Sequence, residues 1–339
     1  MRVEVRKRFV LGRALRIAFV AIMLGGVATP GWGQTLQKVT LRLDWTTLGY
    51  HTPFYLGVAK GYYKDAGLDV EILEGKGSGT SVNLVGTGAD DFAFADATTA
   101  ARLIAQGLPA KVVMGIFQRS TLALFYARDR GIQAPKDLKS KAISMCAGDG
   151  MSVYLPIYLK AVNLRADDVQ PVTVDCTLKY TAVAQRKADA VASYGTAGRP
   201  LMQAVGIQDP GKFDYADAGV FLPSHGIIAS DKTITQRADV VRRFVSATAK
   251  SWQAAQADPD AAVAATVAAK PLLNDKEKML KDTFTDSLQY IKTPGVAGKP
   301  FGWQSPEEWQ KATDALVEYS GMTRPASATV FYTNTFVAN

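Results

Sequence analysis

Hydrophobic and polar positions alternate along this chain in two different periods. Val39-Thr40-Leu41-Arg42-Leu43 repeats every second residue, the mark of a half-buried strand. Thr52-Pro53 then reads as a helix start, and Phe54, Val58 and Tyr62 recur at helical spacing until Gly67 offers a stop. Leu68 to Leu73 predicts a second strand, Ser81 to Val85 a helix, and Asp91 to Ala95 a strand. A helix over Thr98 to Gln106 and a strand over Lys111 to Phe117 follow. From about Ala127 the alternation restarts, with strands at Ala142–Cys146, Pro171–Cys176 and Ala190–Tyr194. Helices at 152–163 and 179–187 separate them, and Pro135 to Leu138 forms a short helical turn. The chain returns near Phe221 to Ala229 and becomes mostly helical: 236–256, 259–269, 276–284 and 306–319.

Two strand–helix series in succession predict two α/β lobes with mixed, mostly parallel sheets. The expected division gives residues 34–126 and 222–339 to lobe 1 and 127–221 to lobe 2. Two hinge strands, near Leu124 to Arg128 and Phe221 to Ile227, would join them. Ligands of open α/β sheets bind beyond the carboxyl ends of the strands. The candidate residues therefore lie just after the predicted strands.

In lobe 1 that rule selects Asp44, Trp45, His51 and Tyr55. Trp45 offers a flat face or a core residue. Asp44 accepts hydrogen bonds from ring N–H groups. His51 either meets ligand or caps the helix, and Tyr55 stacks or donates its hydroxyl. Gly77, Ser78, Gly79 and Thr80 form a turn whose backbone N–H groups suit an anion or a carbonyl, though no Gly-Lys-Ser/Thr follows as a phosphate loop requires. Asp96 closes the next strand. In lobe 2, Asp149, Gly150 and Ser152 make a matching turn, and Tyr194 ends a strand as a possible lid. His225 lies in the returning crossover. Arg119 is the residue on which ligand charge turns: in the cleft it implies a bidentate anion, and in solvent or at the hinge it leaves a neutral aromatic. The second of these is the expectation.

Charge changes less than it first suggests. The chain of 339 residues has a formal charge of +8. Residues 1–33 hold six basic residues and Glu4, so the remainder stands near +3 and has no Lys/Arg run for nucleic acid. That first stretch reads as an export signal: a basic start, an apolar run over Ile17 to Val27, and small residues in Gly31-Trp32-Gly33. Cleavage is expected near Gly33/Gln34. The apolar run is shorter than the roughly 20 residues that cross a bilayer. Two cysteines and two histidines leave little for a metal site. In an oxidising compartment Cys146 and Cys176 could pair, stabilising by roughly 3–4 kcal/mol, or else remain buried thiols. No nucleophile–base motif, cofactor motif or metal motif is evident, so no enzyme activity and no cofactor is expected.

The pieces Leu43-Asp44-Trp45, His51, Tyr55, Ala59-Lys60-Gly61-Tyr62-Tyr63, Gly67-Leu68-Asp69-Val70 and Gly86-Thr87-Gly88-Ala89-Asp90-Asp91-Phe92 resemble the exported binding proteins of the NMT1/THI5-like family. Asp137-Leu138-Lys139-Ser140-Lys141 is similar to the family's Asp-Leu-Lys-Gly-Lys, with Ser140 in place of glycine. Lys187-Ala188-Asp189-Ala190-Val191 is similar to its Gly-Xaa-Asp-Ala-Val. The resemblance implies a type II periplasmic binding protein serving an ABC importer. Its partners would be a small-molecule ligand and an inner-membrane permease with its ATPase, and it would act as a periplasmic monomer. Family ligands imply a pyrimidine precursor of thiamine, with an organic acid, a sulfonate or aromatic carboxylate, or a role as an extracytoplasmic sensor as alternatives. A fungal branch similar around His51 makes the pyrimidine from its own histidine with a pyridoxal cofactor. That branch carries a cysteine-rich iron motif, which two scattered cysteines do not match.

Overall fold

The computed structural model describes residue 1, residues 35–146 and residues 151–337, the side chain of Ser152 excepted. The chain divides into a leading unit, Met1–Thr35, and a main unit, Leu36–Asn339, which contains all the described elements. The export signal and its cleavage point thus fall outside the described residues, as do Asp149 and Gly150.

Two five-stranded sheets organise the main unit. The first contains β1 (Gln37–Arg42), β2 (Leu68–Leu73), β3 (Phe92–Asp96) and β4 (Ala110–Gly115). Between them run α1 (Thr52–Ala59), α2 (Tyr62–Asp65), α3 (Ser78–Gly86) and α4 (Ala97–Ala105). The second contains β5 (Leu122–Ala127), β6 (Ala142–Cys146), β7 (Gln170–Val174), β8 (Ala190–Tyr194) and β9 (Pro210–Asp214). Its helices are α5 (Met151–Ala161), α6 (Lys179–Ala184) and α7 (Gly198–Ala204). The chain then returns through β10 (His225–Ser230) to the first sheet. It ends in α8 (Asp231–Gln236), α9 (Ala238–Ala257), α10 (Pro259–Ala269), α11 (Glu277–Ser287) and α12 (Pro306–Ser320).

The strand orders are β2-β1-β3-β10-β4 and β7-β6-β8-β5-β9. The two sheets share one logic. In each, the fourth position is taken by the strand that has just crossed from the other lobe, and it runs antiparallel to both neighbours. The crossings are therefore residues 116–121 and 219–224. This corrects the expected hinge at Leu124–Arg128: Leu124 to Ala127 lie inside β5, wholly buried in the second sheet. The second sheet accordingly begins before the expected break after residue 126. β5 reads Leu-Ala-Leu-Phe-Tyr-Ala without alternation because both of its faces are covered.

The first expected helix is two. Gly61, at φ +74°, breaks it into α1 and α2. Phe54 packs inward against Phe94 and Trp252, while Val58 is 45% exposed. Tyr63 stacks on Phe244 and its hydroxyl meets Thr248, so it is a packing residue. An aromatic core of Phe54, Phe94, Phe117 and Trp252 lies beneath the first sheet. The lobes also touch away from the crossings: α12 packs on α5, and Lys160 pairs with Glu318. No helix among the described residues is long and apolar enough to cross a membrane.

Candidate functional site

The carboxyl ends of β1, β6 and β8 face one cleft between the two sheets, with about 620 Å³ of atom-free space, its open mouth included. From the first lobe its wall takes Asp44, Trp45, Leu48, Tyr50, Gly77, Ser78, Gly79 and Thr99. From the second it takes Cys146, Cys176, Lys179, Tyr180, Ser193, Tyr194, Ala197 and Leu201. Aromatic walls with a few placed polar groups are the usual make-up of small-molecule sites.

Local backbone bonds explain why the first-lobe pieces meet. After β1, the carbonyl of Asp44 accepts from Gly77 N–H at 2.7 Å and that of Trp45 from Gly75 N–H at 3.2 Å. The β2–α3 turn is thereby laid along the end of β1. Gly75 must be glycine, since a Cβ there would come within 2.0 Å of Leu43 O. Gly77 has φ +116° and caps α3, so Ser78 and Gly79 form the helix's first turn on the cleft wall. Thr80 is exposed and is not on that wall.

Asp44 is the electrostatic centre. Its Oδ1 accepts from His51 Nε2 at 2.7 Å, and its Oδ2 meets His225 Nε2 at 3.0 Å and Tyr50 Oη at 3.3 Å. His51 Nδ1 accepts from Leu48 N–H at 3.0 Å, which leaves Nε2 to carry the proton toward Asp44. Burial opposes ionisation of Asp44, but the bonds from His225 and His51 outweigh it and hold the carboxyl far below the usual range. Burial, and then the Asp44 charge, push the Tyr50 phenol well above its ordinary value. A carboxylate has about four lone-pair sites, and three donors occupy this one.

The two histidines stand behind the wall and hold Asp44 there. His51 is 0% exposed and is wrapped by Tyr50 and Phe94. His225 sits on β10 opposite Asp96 in register, and Tyr194 of the other lobe packs edge-on against its ring at 5.2 Å. Ser224 Oγ lies 3.0 Å from His225 Nδ1, so a serine, a histidine and an aspartate form a hydrogen-bonded chain. Ser224 is 2% exposed and off the cleft wall, and its hydroxyl also bonds Thr121. It offers no nucleophile to a bound molecule.

Other expected residues lie elsewhere. Tyr55 hydrogen-bonds Thr47 at 2.9 Å behind the wall, where burial pushes its phenol up to about 12. Asp96 caps α4, accepting from Thr99 N–H at 2.7 Å, and receives the Tyr154 hydroxyl at 3.3 Å. Arg119 lies in the first crossing and pairs with Asp217 at 2.5 Å, away from the cleft. Cys146 and Cys176 form a disulfide on the second-lobe wall. Among the described residues, no cluster of three or more His, Cys, Asp or Glu could hold a metal, the acids and histidines at Asp44 being spent on one another.

Sequence reasoning missed Tyr50, Thr99, Lys179, Tyr180 and Ser193. Tyr50 neighbours His51 and could have been found from it. The others carry no motif. Tyr180 Oη and Ser193 Oγ bond each other, tying α6 to β8.

A family model described as NMT1/THI5 like matches residues 49–262. The chain belongs to the NMT1/THI5-like family. Among its relatives, riboflavin-binding protein RibY of Chloroflexus aurantiacus is 25% identical over 313 residues, 91% of this chain and 88% of that protein. The formylaminopyrimidine-binding protein of Halalkalibacterium halodurans is 22% identical over 330 residues, 94% of this chain and 96% of that one. Synthases stand among its relatives as well. The Saccharomyces cerevisiae 4-amino-5-hydroxymethyl-2-methylpyrimidine phosphate synthase THI11 is 26% identical over 257 residues, 70% of this chain and 73% of its own. The alkanesulfonate-binding protein SsuA of Xanthomonas axonopodis pv. citri superposes with a TM-score of 0.68 at 13% identity, covering 87% and 98% of the two chains. The fold is thus that of the type II periplasmic binding proteins, as expected from the sequence.

Proposed function

We propose that this NMT1/THI5-like protein is the ligand-binding component of an ABC importer and captures a planar nitrogen heterocycle of the thiamine-pyrimidine kind. The observation that carries this reading is the cleft itself. Trp45 and Tyr50 on one lobe face Tyr180 and Tyr194 on the other, and a buried, ionised Asp44 stands at the first-lobe end to accept ring N–H or amino donors. Stacking contributes roughly 0.5–1.5 kcal/mol per aromatic pair beyond area burial, and a hydrogen bond to a charged group about 1.5–3 kcal/mol. Two stacking faces and a few such bonds reach the roughly −8 kcal/mol of a micromolar receptor. The binding-protein relatives, similar along nearly their whole length, support the same reading.

In this reading the protein is exported, acts as a monomer outside the cytoplasmic membrane, and presents its closed, loaded form to a permease and ATPase. Capture without chemistry is favoured over synthesis. Both cysteines of the chain are joined in the disulfide, so neither is a thiolate ligand for iron. His51 is sealed behind Asp44 rather than offered as a reactant.

The test is mass spectrometry of the small molecule that co-purifies with the protein, followed by calorimetry with the compound found. A nitrogen heterocycle binding at micromolar concentration or below supports the proposal. An aliphatic acid or sulfonate without a ring would keep the receptor and overturn the stacking ligand.

A further inference from the structure

The helical tail of the first lobe sends one side chain into the second. Tyr290 follows α11, packs in the core beneath the first sheet, and is 0% exposed. Its hydroxyl donates to Asp214 Oδ1 at 3.1 Å, at the end of β9. Lys212 of the same strand lies 3.5 Å from the phenol oxygen and pairs with Asp214 Oδ2 at 2.6 Å. Burial, and then the Asp214 charge, push the phenol above its ordinary value and keep it a donor. The phenol also abuts Gly195, in the turn after β8, where a Cβ would come within 1.9 Å of Tyr290 Oη. That turn and Tyr290 are both bonded to the first crossing. Gly195 N–H donates to Thr121 O at 2.5 Å, and Arg119 N–H donates to Tyr290 O at 3.0 Å. Tyr194 and Ala197, on either side of Gly195, line the cleft. A phenol of the first lobe is thus enclosed by the ends of β8 and β9, the two strands that flank β5.

We infer that Tyr290 is an interlobe clasp, bonded to Asp214 and seated on Gly195 in the closed form and withdrawn when the cleft opens. This rests on the proposed reading of the protein as a two-lobed receptor. Tyr290 is off the cleft wall, so it is a positioning residue: it holds the Tyr194–Ala197 turn toward the first lobe. A hydrogen bond to a buried carboxylate biases a two-state balance by about tenfold or more. The clasp closes behind a captured molecule, so it slows release and leaves entry nearly unchanged.

The test uses Tyr290→Phe, Gly195→Ala and the double variant. Tyr290→Phe removes the hydroxyl alone, and Asp214 keeps Lys212 as its counter-charge. Gly195 lacks the left-handed φ that bars alanine, so Gly195→Ala acts on the seat of the phenol. Small-angle scattering of the ligand-free protein should show a larger radius in both single variants. With 4-amino-5-hydroxymethyl-2-methylpyrimidine as probe, stopped-flow binding should show dissociation about tenfold faster and association within about threefold of wild type. The double variant should be no worse than the worse single one, because both changes release one contact. A merely structural tyrosine would lower the melting point and leave the radius and the dissociation rate where they were, and that result in Tyr290→Phe overturns the inference. Additive effects in the double variant also overturn it. Failure of the probe to bind the wild type at about 1 mM overturns the pyrimidine reading, and the scattering radii then decide the clasp by themselves. If Gly195→Ala does not melt cooperatively, Tyr290→Phe decides the matter.

Discussion

Replacing Asp44 by asparagine and by alanine separates two effects that the buried network combines. In Asp44→Asn the amide oxygen can keep the His51 bond, because His51 Nδ1 is fixed as an acceptor by Leu48 N–H and Nε2 must donate. The amide nitrogen then faces His225. That histidine can adapt: its Nδ1 partner is the hydroxyl of Ser224, which donates or accepts, so Nε2 can become the acceptor. The three charge-assisted bonds become neutral ones, at about 0.5–1 kcal/mol each, with the Tyr50 hydroxyl turning to accept from the amide, and this is offset by no longer burying a charge. The net loss of stability should be about 1 kcal/mol. Asp44→Ala instead strands the donors of His51 and Tyr50 and the His225 ring nitrogen, at a cost of about 3 kcal/mol. Thermal melts should show the difference, at roughly 2–4 °C per kcal/mol for a chain of this size. Acid adds a second readout. The Asp44 carboxyl is held below its ordinary value of 3.8, so its ionisation stabilises the fold above that pH and the contribution is lost as pH falls below it. The gap between wild type and Asp44→Asn should therefore shrink as pH falls below about 4. The reasoning is refuted if Asp44→Asn is as damaging as Asp44→Ala, or if the gap widens in acid.

Reducing the Cys146–Cys176 bond, which spans 30 positions, should lower stability by roughly 3–4 kcal/mol in denaturant melts; an unmoved midpoint would contradict the chain-entropy account. Both half-cystines line the cleft, so ligand affinity should fall as well. Arg119→Ala should leave affinity within about twofold and stability within about 0.5 kcal/mol, because its partner Asp217 is exposed; a tenfold loss of binding would return Arg119 to the site. Tyr154→Phe removes only the hydroxyl with which α5 meets Asp96, Thr98 and Thr99 of the first lobe. It should weaken closure by about 1 kcal/mol, seen as a larger radius in small-angle scattering of the ligand-free protein; an unchanged profile would show that this contact does not hold the lobes.

The fold was legible wherever a strand had one wet face or a helix a clear stop. β1 and β2 alternate, and Gly67 and Gly107 take the positive φ of helix ends. β5 was read only as a hinge strand, because a strand covered on both faces has no period to mark it as part of a sheet. β9 escaped because it opens Pro-Gly, which reads as a turn; it lies at a sheet edge, where a missing N–H is tolerated. The same contrast governs the site. Asp44, Trp45 and the Gly77–Gly79 turn follow strands that could be seen, and all line the cleft. Lys179 and Tyr180 come from a short helix with nothing to mark them, and a lysine at a helix start reads as a solvated surface charge. His225 lies 181 positions from Asp44, so their contact has no local signature at all.

That long-range contact also joins the ligand site to the crossings. The backbone carbonyl of His225 accepts from both Ile116 and Phe117, at 2.9 and 2.8 Å, and Ser224 N–H donates to Phe117 O at 2.9 Å. The two crossings are thus bonded to each other at the residue whose side chain holds Asp44. Thr121 extends the link through the Ser224 hydroxyl. On the proposed reading, a ligand donor that adds to the Asp44 carboxylate would compete with, and polarise, the His225 bond. Its effect then reaches the strands about which the lobes turn through one imidazole ring. In the proposed reading closure requires no extended path through the core, since the acceptor assigned to the ligand is one hydrogen bond from the crossings. If this linkage operates, Ser224→Ala should change the ligand-dependent shift in scattering radius more than it changes the affinity of an already closed form. An identical shift in the variant would leave His225 as a prop for Asp44 and nothing more.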